Sequence, residues 1–301
     1  TMPIPVGKKR SSAHAAGDFS SDAAPSPVVL ITGASSGFGD ACARHLSSRG
    51  YRVYGTSRRA AWGTDGESAS PGNGPCQMIP MDVCHAASVQ TGVDFVVKKS
   101  NRIDVVVCNA GFGLAGSVED SHVDEVKRPF EPNLYGTWRV CRSVLPHLRR
   151  QGAGYLVIVG SLAGLMGIPF QAAYSASKFA LEGLAEALRM EVKPWGVHVV
   201  LIQPGDFRTG FTRNRIKTVA SGQNPDYATI FARALAVMEQ DERRGPAPEK
   251  LARLLERIIT HPAPRLRYTV GTMPQRAGAL LKRVLPGRFF EWLMMATYKL
   301  N

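Results

Sequence analysis

The chain has 301 residues, 44% hydrophobic and 20% charged, the balance of a globular core rather than of a chain too polar to fold. Its net charge is +13, and Arg243 to Asn301 alone holds twelve Lys and Arg against three Glu, a local surplus of nine. No nucleic-acid reading motif accompanies that charge and no apolar run is long enough to span a bilayer, so an anionic cofactor, an acidic partner or a membrane surface remain as its counterparts.

Residues 1–27, "TMPIPVGKKRSSAHAAGDFSSDAAPSP", lack the apolar core of a secretion signal and are rich in Pro, Ser and Ala. They are expected to form a mobile tail. The first strand follows as VVLIT, 28–32, and turns into a helix through Gly33, Ser35, Ser36, Gly37, Phe38 and Gly39. Glycines at such a turn let the backbone approach a pyrophosphate, and the free N–H groups of the helix start favour its charge. The second strand, RVYGT at 52–56, ends on Ser57, Arg58 and Arg59 where an acidic reader of ribose hydroxyls would otherwise stand. A guanidinium there grips a 2′-phosphate that a carboxylate would repel, which favours NADP(H) over NAD(H); two solvated loop charges are the plainer alternative.

The third strand, QMIPM at 77–81, leads to Asp82 and Val83 as an edge for adenine or a simple strand end. IDVVVCN, 103–109, closes on Asn109, Ala110 and Gly111. A long helix is expected over Val123–Arg150, kinked by Pro129 and Pro132 just before Asn133. YLVIVG, 155–160, presents Ser161 at its end, and the helix Gln171–Lys193 carries Tyr174 and Lys178 one turn apart. Lys178 could instead form an i,i+4 salt bridge with Glu182 on a solvated face. HVVLIQ, 198–203, ends on Pro204, Gly205 and, a little later, Thr209; RLRYTV, 265–270, is the last strand, after a helix near 248–260.

Near-continuous apolar strands alternating with helices specify a doubly wound parallel α/β sheet of Rossmann type in one domain, 28–270. Such sheets bind ligands at the carboxyl ends of their strands, so the glycine turn, Asn109, Ser161 and Thr209 should converge on one crevice. Segment 206–245 shows no clear period and is read as a lid over the crevice. Ser161, Leu165, Phe207 and Phe211 are its candidate substrate contacts, although the apolar side chains could equally pack the lid onto the core. Residues 271–301 form a basic, apolar-rich extension that packs on the core, meets another subunit, or docks peripherally on a membrane. Cys42, Cys76, Cys84, Cys108 and Cys141 form no CxxC pair and no metal-ligand spacing, so they read as reduced thiols of a cytoplasmic protein with no metal.

Tyr is a poor base, with a pKa of about 10 in water; a nearby cation favours its phenolate. A Tyr and Lys on one helical face, beside a Ser and a dinucleotide cradle, suit proton transfer coupled to hydride transfer. These residues together, TGASSGFG (32–39), NAG (109–111), Asn133, Ser161, Tyr174/Lys178 and PG (204–205) with Thr209, resemble the short-chain dehydrogenase/reductase family. Within it, the Ser-to-Tyr segment and the long extension are similar to the 17β-hydroxysteroid and retinol dehydrogenase branch. The resemblance implies that Lys178 holds the nicotinamide ribose, Ser161 the substrate oxygen, Thr209 the carboxamide, and Asn133 a water that relays protons to Lys178. It also implies a homodimer or homotetramer acting on a lipophilic alcohol, ketone or aldehyde. Two other readings stay open: a 3-oxoacyl thioester reductase, and an NADPH-sensing regulator without turnover. The extension and apolar lid argue against the first, and the intact Ser161/Tyr174/Lys178 set against the second.

Overall fold

The computed structural model describes residues 26–62, 68–69 and 76–300, so the expected N-terminal tail lies, up to residue 25, outside them. Seven strands make the central sheet: β1 Val28–Ile31, β2 Arg52–Ser57, β3 Cys76–Pro80, β4 Val105–Cys108, β5 Gly154–Val159, β6 Val197–Pro204 and β7 Arg267–Val270. They lie in the order β7-β6-β5-β4-β1-β2-β3, with every neighbouring pair parallel. Val29 of β1 pairs with Val53 on one side and Val105 on the other. The order therefore reverses at β1, and the crevice opens beyond its carboxyl end.

Alternation along β1 shows why the strands read as unbroken apolar runs. Val28 and Leu30 face one core with α2 (Ala86–Ser100), α4 (Thr137–Gln151) and α5 (Ala172–Val192). Val29 and Ile31 face a second core with α1 (Gly37–Ser48) and α7 (Glu249–Ile259). All four side chains are buried, each contributing roughly 1.5–3 kcal/mol of transfer free energy, so no polar position is tolerated.

The helix expected over 123–150 is three pieces. α3 (Val123–Phe130) passes into a π-helical segment, Glu131–Gly136, before α4 begins. Pro129 and Pro132 each lack the N–H an α-helical ladder would use, and the looser winding absorbs that loss. Segment 206–245 is more regular than its sequence suggests. After a helical turn at Phe211–Asn214, it contains the twenty-residue α6 (Pro225–Arg244), which buries Phe231, Leu235, Met238 and Glu242 along one stripe. The extension forms two helices, α8 (Met273–Val284) and α9 (Gly287–Thr297).

Candidate active site

Three loops meet beyond the strand ends. Gly33 and Gly37 have φ of 66° and 58°, a region in which a side chain would be strained. A Cβ on Gly39 would lie 2.3 Å from the Gly33 carbonyl, so only glycine lets the turn close. The turn is clamped from β4. Thr32 Oγ1 accepts from the N–H groups of Asn109 (2.9 Å) and Ala110 (3.1 Å), while Asn109 Nδ2 donates to the carbonyls of Thr32 (2.9 Å) and Gly33 (3.1 Å). A Cβ on Gly111 would strike Asn133 Oδ1, and one on Gly37 would stand 3.6 Å from Thr209 Cβ. The loop after β6 therefore reaches the same turn.

Ser36 precedes α1 without a side-chain capping bond, and both Ser35 and Ser36 are exposed. The first-turn N–H groups are thus open to an anion, which fits the pyrophosphate of a dinucleotide. Arg58 and Arg59 are exposed at the end of β2, and neither guanidinium has a partner among the described residues. The Arg59 N–H donates to Ser57 Oγ at 3.2 Å, fixing the turn. Asp82 spends one carboxylate oxygen on the Cys84 N–H (2.9 Å), and Val83 is buried against Gly136.

Ser161 follows β5 in extended backbone, and its Oγ accepts from the Ala163 N–H at 3.1 Å. Tyr174 is buried, and burial pushes its phenol up to about 12; the Ser161 hydroxyl pulls the other way. Lys178 is buried too. Its Nζ donates to the Val159 carbonyl at 2.9 Å and lies 5.8 Å from the centre of the Tyr174 ring, and burial pushes it down to about 8. The salt bridge to Glu182 does not form: that carboxylate takes Gln203 Nε2 and Arg267 Nε, each at 2.7 Å. The expected lowering of the phenol by Lys178 is not what governs it in this chain alone, where desolvation wins and Tyr174 keeps its proton.

Asn133 falls in the π-helical segment, and its side chain is committed to protein. Oδ1 accepts from the Phe112 N–H (3.1 Å), while Nδ2 donates to the Phe112 carbonyl (3.2 Å) and Ser177 Oγ (3.0 Å). Ser177 donates in turn to the Tyr174 carbonyl at 2.7 Å. Asn133 therefore ties the β4 loop to α5 beside the acid–base pair.

Segment 206–245 brings the expected Phe211 to Tyr174 and supplies charged groups that sequence reading missed. The Phe211 ring lies 5.6 Å from the Tyr174 ring, and the Arg215 guanidinium 5.6 Å from the Phe211 ring. Arg215 is buried and paired with Glu242, which also accepts from the Thr212 hydroxyl. Among the described residues, Arg215 Nε and Nη1 have no hydrogen-bond partner. Asp206 receives Gln275 Nε2 at 2.7 Å, and burial raises its carboxyl to about 7. Glu242 sits in "MEQDERRG", where it looks like one more solvated charge; the spacing Phe231, Leu235, Met238, Glu242 was the available signal. Phe207, expected in the substrate pocket, instead packs edge-on against Phe38 at 5.0 Å within the second core. Leu165 lies against the cluster of Leu162, Met166, Ala279 and Phe290.

Residues 27–220 match the family model described as short chain dehydrogenase. A 3-ketodihydrosphingosine reductase of Bacteroides thetaiotaomicron is 40% identical over 274 residues, covering 91% of this chain and 98% of that protein. Human 17-beta-hydroxysteroid dehydrogenase type 1 is 37% identical over 256 residues, covering 80% of this chain and 76% of its own. The crystal structure of a short-chain dehydrogenase from Streptomyces avermitilis superposes with a TM-score of 0.73 at 29% identity, over 91% of this chain and 98% of that one.

Proposed function

The chain belongs to the short-chain dehydrogenase family, enzymes that interconvert CH–OH and C=O groups, and on that premise we propose that it is an NADPH-dependent reductase of a long-chain ketone. The observation that carries this reading is Tyr174 and Lys178 buried one turn apart on α5, with the Ser161 hydroxyl acting on the phenol. Bound in the crevice, a nicotinamide dinucleotide would supply the hydride. Gly33, Gly37, Gly39 and the start of α1 would hold its pyrophosphate, with Arg58 and Arg59 on the 2′-phosphate, Lys178 on the ribose and Thr209 on the carboxamide. Ser161 holds the carbonyl oxygen while Tyr174 donates its proton to it. A phenol that keeps its proton at neutral pH is the acid that reduction requires.

The near full-length similarity to a 3-ketodihydrosphingosine reductase supports a long-chain ketone with an amino group on the adjacent carbon. NADPH oxidation with 3-ketodihydrosphingosine, compared with a steroid ketone, an aldehyde and a 3-oxoacyl thioester, tests the assignment. Preference for the thioester or the steroid would displace it, and binding of NADPH without turnover on any carbonyl would return the regulator.

Two further outcomes are expected. Arg58→Asp should weaken NADPH binding about tenfold or more and leave NADH nearly unchanged, since one bidentate charge contact is lost and a repulsion added. Fluorescence titration of both cofactors decides this, and an unchanged preference would refute the role of Arg58. The kcat/KM for reduction should fall as pH rises through about 8, because Lys178 is a cation below that value and neutral above it. A profile flat to about pH 10, the ordinary range of lysine, would contradict it.

Exposed Trp138, Phe179 and Met190, on α4 and α5, support the expected homodimer or homotetramer. Light scattering measures it directly.

A further inference from the structure

α8 and α9 are apolar on two opposite sides. Inward, Ala279 and Phe290 are buried against Leu162 and Met166, with Leu285 and Met294 packed beside them. Those partners belong to the loop that carries Ser161, so the helix pair is seated on the substrate side of the crevice. Outward, Met273, Leu280 and Val284 are 74%, 62% and 67% exposed, and Phe289 and Trp292 are 51% and 55% exposed.

The outward residues are ordered rather than scattered. At 100° per residue, Met273, Ala277, Leu280 and Val284 fall on one stripe of α8, and Arg276 and Arg283 border it. Phe289, Trp292 and Ala296 make the matching stripe of α9, bordered by Arg288, with the Phe289 and Trp292 rings stacked at 5.5 Å. Residues 271–300 contain five Lys and Arg and one acidic residue, Glu291. Among the described residues, no helix is long and apolar enough to cross a membrane. An aromatic and aliphatic stripe edged by arginine fits the boundary between acyl chains and anionic headgroups.

We propose that the outer face of α8 and α9 is a docking surface for an anionic lipid bilayer, seating the substrate loop at the membrane so that a long-chain ketone passes from lipid to Tyr174. Delivery of the substrate deepens the reductase reading and rests on it; docking stands on the exposed stripe and its charge alone. A second copy of the chain is the rival occupant, but a self-complementary contact would bring two arginine-edged faces together, with one Glu291 per chain to offset Arg276, Arg283 and Arg288.

The test is co-sedimentation of the full chain with vesicles of equal parts phosphatidylglycerol and phosphatidylcholine, and with phosphatidylcholine alone. Binding is expected to the mixed vesicles, at least tenfold weaker to the neutral ones, and diminished by salt. The double variant Leu280→Glu/Trp292→Glu changes two exposed side chains outside the catalytic machinery. It should lose vesicle binding at least tenfold while reducing a short, water-soluble ketone at the wild-type rate. Failure to bind the mixed vesicles, or equal binding by the variant, would overturn the proposal. So would a concentration-dependent oligomer that the variant alone converts to a smaller species, since the face would then cover a second copy. Vesicle binding by a chain that reduces no ketone would keep docking and remove the substrate reading, so the two fail separately.

Discussion

Tyr174→Phe is expected to lower kcat for ketone reduction by about 10³-fold, near the middle of the range for loss of a positioned proton donor, while NADPH affinity changes less than about threefold. The substitution removes one oxygen and keeps the ring. Its packing against Phe211, at 5.6 Å between ring centres, is retained, and so is the helix that carries Lys178. What disappears is the proton that burial holds on the phenol up to about 12. The developing alkoxide would then have Ser161 alone as a donor. Stopped-flow reduction and fluorescence titration on the same preparation separate turnover from binding. Turnover within about tenfold of wild type would end the acid–base assignment.

Glu242→Ala should cost about 3–5 kcal/mol of stability, the largest structural loss expected from a single change in the lid. Glu242 is the acidic partner of Arg215, whose Nε and Nη1 already lack hydrogen bonds, so its removal leaves an uncompensated charge in the interior. Two lid elements are pinned by this pair: the turn at Phe211–Asn214, through Thr212, and α6, where Glu242 lies near the last turn. Phe211, the ring on Tyr174, lies in the first of them. The expected signature is a lower urea midpoint together with a raised KM for the ketone. Replacing both partners, Arg215→Leu/Glu242→Leu, removes the buried charges and should restore most of the stability without restoring KM. A single variant as stable as wild type would show that the pair holds nothing.

Sequence reading reached furthest where one physical requirement acts on one residue type. Strands buried on both faces must be apolar throughout, which is why VVLIT and HVVLIQ locate β1 and β6 to within two residues. The glycine turn was legible because left-handed backbone at Gly33 and Gly37 excludes most other residues. Tyr174 and Lys178 were legible from helical spacing, but their electrostatics were not. Whether a lysine lowers a phenol or burial raises it depends on desolvation, which no spacing encodes.

The lid was the least legible. Glu242 and Arg215 are charged residues in charged surroundings, and only the packing of α6 buries them. Phe207 follows the strand-end motif "QPGD" and so looked like a crevice residue, yet its backbone directs the ring to Phe38. Asn133 was found through the family resemblance, with the prolines beside it a departure from that pattern, and its amide fastens Phe112 and Ser177, partners 21 and 44 residues away in the chain. Long-range partners of this kind have no local sequence signature.

The central claim is that this crevice moves hydride to a ketone carbon and a proton to its oxygen. The most direct test reduces 3-ketodihydrosphingosine with NADPH carrying deuterium on the transferred position of nicotinamide C4, and reads the product by mass spectrometry. One deuterium bound to the new carbinol carbon, and none exchanged into solvent, is the predicted result. Product lacking that deuterium, or no carbonyl-dependent oxidation of NADPH at all, would contradict it.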